Sequence, residues 1–260
     1  MKAAVIEARG IAKQFGAVKA LSDIDLTVNE GEVVAIVGDN GAGKSTFIKI
    51  LAGAHPPSSG RLFLDGEEVA FKSPQDAAAK GVATTYQELA LAENLSVYEN
   101  VFLGREMTAR FLGFIPILRR GAMRDRVDHL IRRLDAHIPD PGVPVSTLSG
   151  GQRQATAIAR ALELDARLVI MDEPTAALAV AESRKVLALI RRLRDQGKAV
   201  VLISHNIADV FEVSDRIAIF RRGRKVAERE TGNTNPEEIV AFITGAHASV
   251  RGQETAAAQI

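Results

Sequence analysis

The stretch Val33-Val-Ala-Ile-Val37-Gly38-Asp39-Asn40-Gly41-Ala42-Gly43-Lys44-Ser45-Thr46 decides the fold. Its first five residues are apolar on both parities, the pattern of a parallel strand covered on both faces. The next nine satisfy G-x-x-x-x-G-K-[ST], and an amphipathic segment follows them. Strand, glycine-rich loop and helix in that order let the backbone curl until its N–H groups and a helix N-terminus converge on phosphates. A glycine-rich turn that merely precedes a lysine would not need that flanking context. Lys44 is expected to reach the β- and γ-phosphates of a nucleotide, and the Ser45 hydroxyl to ligate Mg²⁺.

Working outward, Leu168-Val-Ile-Met171 and Ala199-Val-Val-Leu-Ile203 are also apolar on both parities. Val127, Leu130, Ile131 and Leu134 fall at helix spacing, as do Val186, Leu189, Ile190 and Leu193. Buried strands alternating with amphipathic helices define an α/β core of the P-loop NTPase kind. Residues 3–9 and 24–28 alternate apolar with polar, and Asp65-Gly66 is a hairpin signal between residues 61–64 and 67–70. These pieces predict an N-terminal antiparallel β subdomain. Residues 88–160 carry helical patterns without a strong buried strand and are expected to form a helical insertion. Asn235-Pro236-Glu237-Glu238 reads as a helix start with cap, proline and acidic first turn. The expected single domain covers residues 1–245; residues 246–260 are Ala- and Gln-rich and are expected to be disordered.

Composition excludes several classes. The chain has 260 residues, 47% of them hydrophobic, enough for one large core. Lys and Arg total 33 against 32 Asp and Glu, a net charge of +1, which argues against a nucleic-acid-binding surface. Cysteine is absent, consistent with a cytosolic chain without disulfides. No run approaches the roughly 20 apolar residues of a membrane-spanning helix. The longest central uncharged run, residues 111–118, is short and broken by Gly113 and Pro116. A soluble chain is expected, with any membrane role coming through a partner.

Asp172 and Glu173 follow the strand at 168–171. A buried strand delivers Asp172 at its C-terminal end, where it can hold Mg²⁺ through water, and Glu173 is the candidate base for an attacking water. On their own, the pair would equally well cap the turn after Pro174. Leu148-Ser149-Gly150-Gly151-Gln152, some hundred residues after the loop, places a serine and two glycines at a helix start, a second anion-binding nest.

In this order the motifs resemble those of ABC transporter ATPases, over about residues 5–245. The resemblance implies that Ser149, Gly150, Gly151 and Gln152 close over the γ-phosphate of ATP held by a partner subunit. It implies that Phe15 stacks on adenine, that Gln87 senses Mg²⁺ and water, and that His205, after Ile203-Ser204, contacts the γ-phosphate as a switch. Glu173, His205 and Gln87 are then the catalytic candidates, and Ser45, Gln87 and Asp172 those for Mg²⁺. One position departs: where the family usually has aspartate crossing the dimer interface, this chain has Ala179. Alanine cannot accept or relay a hydrogen bond there.

The stretches Thr85-Tyr-Gln-Glu-Leu-Ala-Leu91, Asn94-Leu-Ser-Val97, Glu99-Asn-Val-Phe-Leu-Gly-Arg-Glu106 and Glu173-Pro-Thr-Ala-Ala-Leu178 look most like bacterial monosaccharide importers of the ribose, xylose and fructose type. That resemblance implies ATP and Mg²⁺ as ligands. It also implies a second copy of this chain or a homologous ATPase, an integral-membrane permease and, through it, an external sugar-binding protein. The place of action would be the cytoplasmic face of the inner membrane. Three rivals stand beside this reading: a soluble ABC ATPase without a permease, an ABC subunit for another substrate, and a subunit that binds ATP and scarcely turns it over.

Overall fold

The computed structural model describes residues 3–85, 89–111, 115–163, 165–176 and 178–246. A four-stranded antiparallel sheet in the order β2-β1-β4-β5 is built from β1 (Ala4–Phe15), β2 (Val18–Asn29), β4 (Ser59–Leu64) and β5 (Glu67–Val69). Beneath it lies a six-stranded sheet, ordered β12-β11-β3-β10-β9-β6. Its strands are β3 (Val33–Val37), β6 (Val82–Thr85), β9 (Leu168–Asp172), β10 (Ala199–Ile203), β11 (Arg216–Arg221) and β12 (Arg224–Glu230). All but β12 run parallel. The helices are α1 (Lys44–Leu51), α2 (Pro74–Ala79), α3 (Val97–Phe102), α4 (Arg120–Arg133), α5 (Gly150–Glu163), α6 (Val180–Asp195), α7 (Ile207–Val213) and α8 (Pro236–Thr244).

The double parity of the central strands has a direct physical cause. In β9, Leu168 and Ile170 pack with β1, β2 and α1 on one face, while Val169 and Met171 join α3–α6 on the other. In β10, Ala199, Val201 and Ile203 take the first face, and Val200 and Leu202 the second. Every residue of β10 is buried, and each large aliphatic removed from water contributes about 1.5–3 kcal/mol. A one-residue slip would exchange the two faces, so the register is fixed by both layers at once.

The structure extends and corrects the sequence reading in two places. Strands β1 and β2 are longer than the alternation at 3–9 and 24–28 indicates, because Gly10 (φ 59°) and Asp23 (φ 55°) sit at positive φ where the pairing shifts register. An irregularity of that kind breaks the period of two without ending the strand. The region expected to be helical also holds a two-stranded hairpin, β7 (Thr108–Phe111) and β8 (Ile115–Leu118). Eight uncharged residues interrupted by glycine and proline cannot propagate a helix. Pro116, which lacks an N–H, is tolerated because this ribbon has no central strand. The residues expected to form a disordered tail, 246–260, lie outside the described residues apart from Ala246.

Within this region, α3 starts at a reciprocal cap: the Ser96 hydroxyl accepts from Glu99 N–H while the Glu99 carboxylate accepts from Ser96 N–H. Asn100 is fully buried. It accepts from Ala92 N–H at 2.7 Å and donates to the Ala92 and Ser96 carbonyls at 2.9 and 3.0 Å, so it anchors the chain entering the helix.

Candidate functional site

The site gathers at the C-terminal ends of β3, β10 and β9, the edge where open parallel sheets hold ligands. The loop after β3 needs its glycines. A Cβ on Gly38 would come within 2.2 Å of the Phe220 carbonyl, and one on Gly43 within 2.7 Å of Leu21 Cδ2. Gly38, Gly41 and Gly43 all have positive φ, a conformation that side chains resist. Asp39, Asn40 and Gly41 form the exposed outer rim, Ala42 is buried behind them, and Ser45 and Thr46 lie in the first turn of α1. Lys44 turns back into its own loop, donating to the carbonyls of Gly38 at 2.5 Å and Asp39 at 3.1 Å. Burial holds the Lys44 ammonium below the ordinary lysine range, opposed by the charges of Glu173, Asp39 and Asp172.

Asp172 closes β9. Its carboxyl is pushed up by burial and by neighbouring Glu173, with Lys44 and Lys49 pulling the other way. Glu173 is held in an unusual backbone conformation, φ 53°, and its N–H bonds the Ile203 carbonyl at 2.9 Å. That left-handed conformation turns the chain sharply at the end of β9 and sets the carboxylate beside the phosphate loop. Its carboxylate meets His205 Nδ1 at 2.7 Å. The structure therefore brings Lys44, Asp39, Asp172, Glu173 and His205 into one electrostatic cluster, although the chain separates them by up to 166 positions from Asp39 to His205.

Phe15 stands at the end of β1, 45% exposed, with its ring in edge contact with His55 at 5.7 Å and Lys13 Nζ 5.1 Å above it. It is an open aromatic platform. Gln87 lies outside the described residues. Ser149, Gly150, Gly151 and Gln152 form the N-terminus of α5, where Gln152 Oε1 accepts from Ser149 N–H at 2.9 Å. Gly150 is closely packed here, since a Cβ would lie 2.5 Å from Leu178 Cδ2 and the leucine side chain would have to move aside. Ser149, Gly151 and Gln152 line a cavity of about 330 Å³ with Glu182 and Lys185 of α6. A different cleft of about 450 Å³, with no residue in common, flanks the phosphate loop at Asp39–Ala42.

A contact that sequence reasoning missed ties the loop after Glu173 to helix α7: the Thr175 hydroxyl donates to the Asp209 carboxylate at 2.7 Å. Thr175 lies in the stretch that carries the resemblance but Asp209 does not, and the two are 34 positions apart, so no local signal marked the pair. Ala179, in turn, is the N-cap of α6 and offers no side-chain acceptor to its first turn. Ala179→Asp is expected to stabilise the fold by about 1 kcal/mol, a rise of roughly 2–4 °C in unfolding temperature. An unchanged or lowered midpoint in calorimetry would count against that capping geometry.

A fit for a hard divalent cation depends on oxygen donors, and the Ser45 hydroxyl and Asp172 carboxylate on this edge provide them. Among the described residues no group of three or more His, Cys, Asp or Glu is placed to hold a metal alone. That donor set suits an ion which keeps waters and nucleotide oxygens in its shell.

A phosphate loop, an acidic pair after a central strand and a serine–glycine helix start on one α/β core together define a P-loop ATPase. The model of the ABC transporter family matches residues 21–176, and the chain belongs to that family as its ATPase. It is 47% identical over 240 residues to the "Xylose/arabinose import ATP-binding protein XylG" of Sulfolobus acidocaldarius, covering 92% of this chain and 94% of that one. It is 45% identical over 245 residues to the "Fructose import ATP-binding protein FrcA" of Rhizobium meliloti, covering 93% and 94%. Against the "Ribose import ATP-binding protein RbsA 2" of Escherichia coli O157:H7, at 43% identity, 93% of this chain spans 46% of the relative. Among solved structures, a dimeric post-hydrolysis ATP-binding cassette bound to ADP and Pi superposes with a TM-score of 0.72 at 25% identity, covering 87% of this chain and 98% of that one. Among the described residues no helix is long and apolar enough to cross a membrane.

Proposed function

We propose that this ATPase powers uptake of a monosaccharide through a separate membrane permease, working as one half of a two-cassette sandwich. The observation that carries the reading is full-length similarity, above 40% identity, to import proteins for xylose or arabinose and for fructose. Lys44 neutralises the β- and γ-phosphates of ATP, the loop N–H groups cradle them, and Phe15 stacks on the base. Mg²⁺, when bound through Ser45, Asp172 and Gln87, offsets negative charge on the phosphate oxygens. Glu173 accepts a proton from the attacking water, and His205, 2.7 Å from that carboxylate, holds it in place and reaches toward the γ-phosphate.

The separate cavity at Ser149, Gly151 and Gln152 supports the two-chain arrangement. A signature loop set apart from its own phosphate loop is free to serve the nucleotide of another chain. These residues carry one phosphate loop and one signature, and pairing with a second cassette, a copy or a homologue, completes two sites. The permease is assigned to a cavity of about 420 Å³ between β6 and the 88–160 segment, lined by Thr84, Leu89, Leu103, Arg105 and Arg160. Arg160 loses solvation there and donates to the Ala90 carbonyl. On this reading the protein works at the cytoplasmic face of the membrane, with a sugar-binding protein on the far side. Binding drives closure and hydrolysis resets it.

Affinity purification of the tagged chain from gently solubilised host membranes tests the partner. A multi-span permease is expected in near-stoichiometric amount. Recovery without any membrane protein would favour a soluble ATPase instead.

A further inference from the structure

The hairpin β7–β8 takes no part in the ATP chemistry, and it exposes two neighbouring large aliphatic side chains. Thr108, Ala109, Arg110, Pro116, Ile117 and Leu118 are all exposed, Ile117 at 46% and Leu118 at 44%. Among the described residues its two strands pair only with each other, and a two-stranded ribbon is marginal in water unless something covers it. Residues 111–118 carry no charge, while Arg110, Arg119 and Arg120 bracket them. No Asp or Glu occurs between Met107 and Met123, in a chain whose net charge is only +1. Among the described residues none of the three arginines forms an ion pair, and Arg120 acts on Glu99 only at longer range.

An apolar edge bracketed by arginines, in a stretch without Asp or Glu from Met107 to Met123, is the composition that seats a protein at the surface of an anionic bilayer. The apolar residues enter the acyl boundary, and arginines stay at the headgroup phosphates. We infer that the hairpin β7–β8 is a membrane-surface anchor. Ile117 and Leu118 lie in the interface, and Arg110, Arg119 and Arg120 pair with anionic lipid headgroups. The hairpin begins directly after Leu103 and Arg105, which line the cavity assigned to the permease. Lipid contact by this chain would thus add to docking rather than replace it, since one small anchor gives only reversible binding. The anchor does not depend on transport, because lipid vesicles contain no permease.

Co-sedimentation of the full chain with vesicles of phosphatidylcholine alone, and of phosphatidylcholine mixed with phosphatidylglycerol, tests it. Each arginine near an anionic surface is worth about fivefold in affinity. The wild type is expected to bind the anionic vesicles at least roughly tenfold more tightly, an advantage that high salt removes. The double change I117S/L118S is expected to weaken that binding roughly tenfold. R110Q/R119Q/R120Q should erase the preference for anionic lipid. ATP hydrolysis and unfolding temperature should stay at wild-type values in both variants, which separates a lost anchor from a lost fold. Equal binding to the two vesicles, no binding to either, or an I117S/L118S protein that sediments like wild type would overturn the anchor. If vesicles fail to bind while I117S/L118S loses the co-purifying permease, the hairpin belongs to a protein interface and the lipid assignment is wrong.

Discussion

Glu173→Gln is expected to lower ATP turnover by at least about a hundredfold, the usual contribution of a positioned general base, while leaving ATP binding intact. The substitution keeps the size of the side chain and a carbonyl oxygen within reach of His205 Nδ1, now 2.7 Å from the carboxylate. It removes only the capacity to take a proton from water. In the proposed sandwich hydrolysis lets the two subunits part, so the variant should accumulate as an ATP-bound dimer. Size-exclusion chromatography with light scattering then reports a doubling of the 27.9 kDa monomer mass in ATP, reversed by removing nucleotide. A variant that binds ATP and stays monomeric would rule out the sandwich, and one that hydrolyses at the wild-type rate would rule out Glu173 as base.

Lys44→Ala should remove ATP binding and hydrolysis together. The ammonium is the cation inside the loop, already partly desolvated and surrounded by Asp39, Asp172 and Glu173. Deleting it leaves those carboxylates facing the triphosphate with nothing to offset them. At a hundredfold excess over Kd, ligand binding stabilises the wild type by about 2.7 kcal/mol. That corresponds to an upward shift of roughly 5–10 °C for a chain of this size. The variant should show no shift with ATP, yet unfold without nucleotide close to wild type, because its lost bonds are to the Gly38 and Asp39 carbonyls of an exposed loop. An ATP-dependent shift of wild-type size would contradict the role given to Lys44.

Much of this was legible because physics forces the residue types. A strand covered on both faces has no polar parity to spare, so Val33–Val37 and Ala199–Ile203 announced themselves. Asn235 caps α8 as its residue type predicts, accepting from Glu238 N–H at 2.8 Å. The turn at Asp65-Gly66 joins β4 to β5 with positive φ at both residues. The hairpin β7–β8 was hidden because its pairing is local and its faces are not divided into core and solvent, so no alternation encodes it. Edge strand β6 escaped notice for a similar reason: four residues are too few to display a period. At the site, the motif residues could be read in isolation. The contacts that couple them, Glu173 to His205 and Thr175 to Asp209, join positions more than 30 residues apart and arise only from the order of strands in the sheet.

The central claim, that this ATPase drives entry of a monosaccharide, is tested most directly by uptake of labelled xylose, arabinose, ribose and fructose into host cells lacking the chain. At least one of these sugars should no longer accumulate, with uptake restored by the wild-type chain and not by Glu173→Gln. Undiminished uptake of all four in the deletion strain would contradict the account.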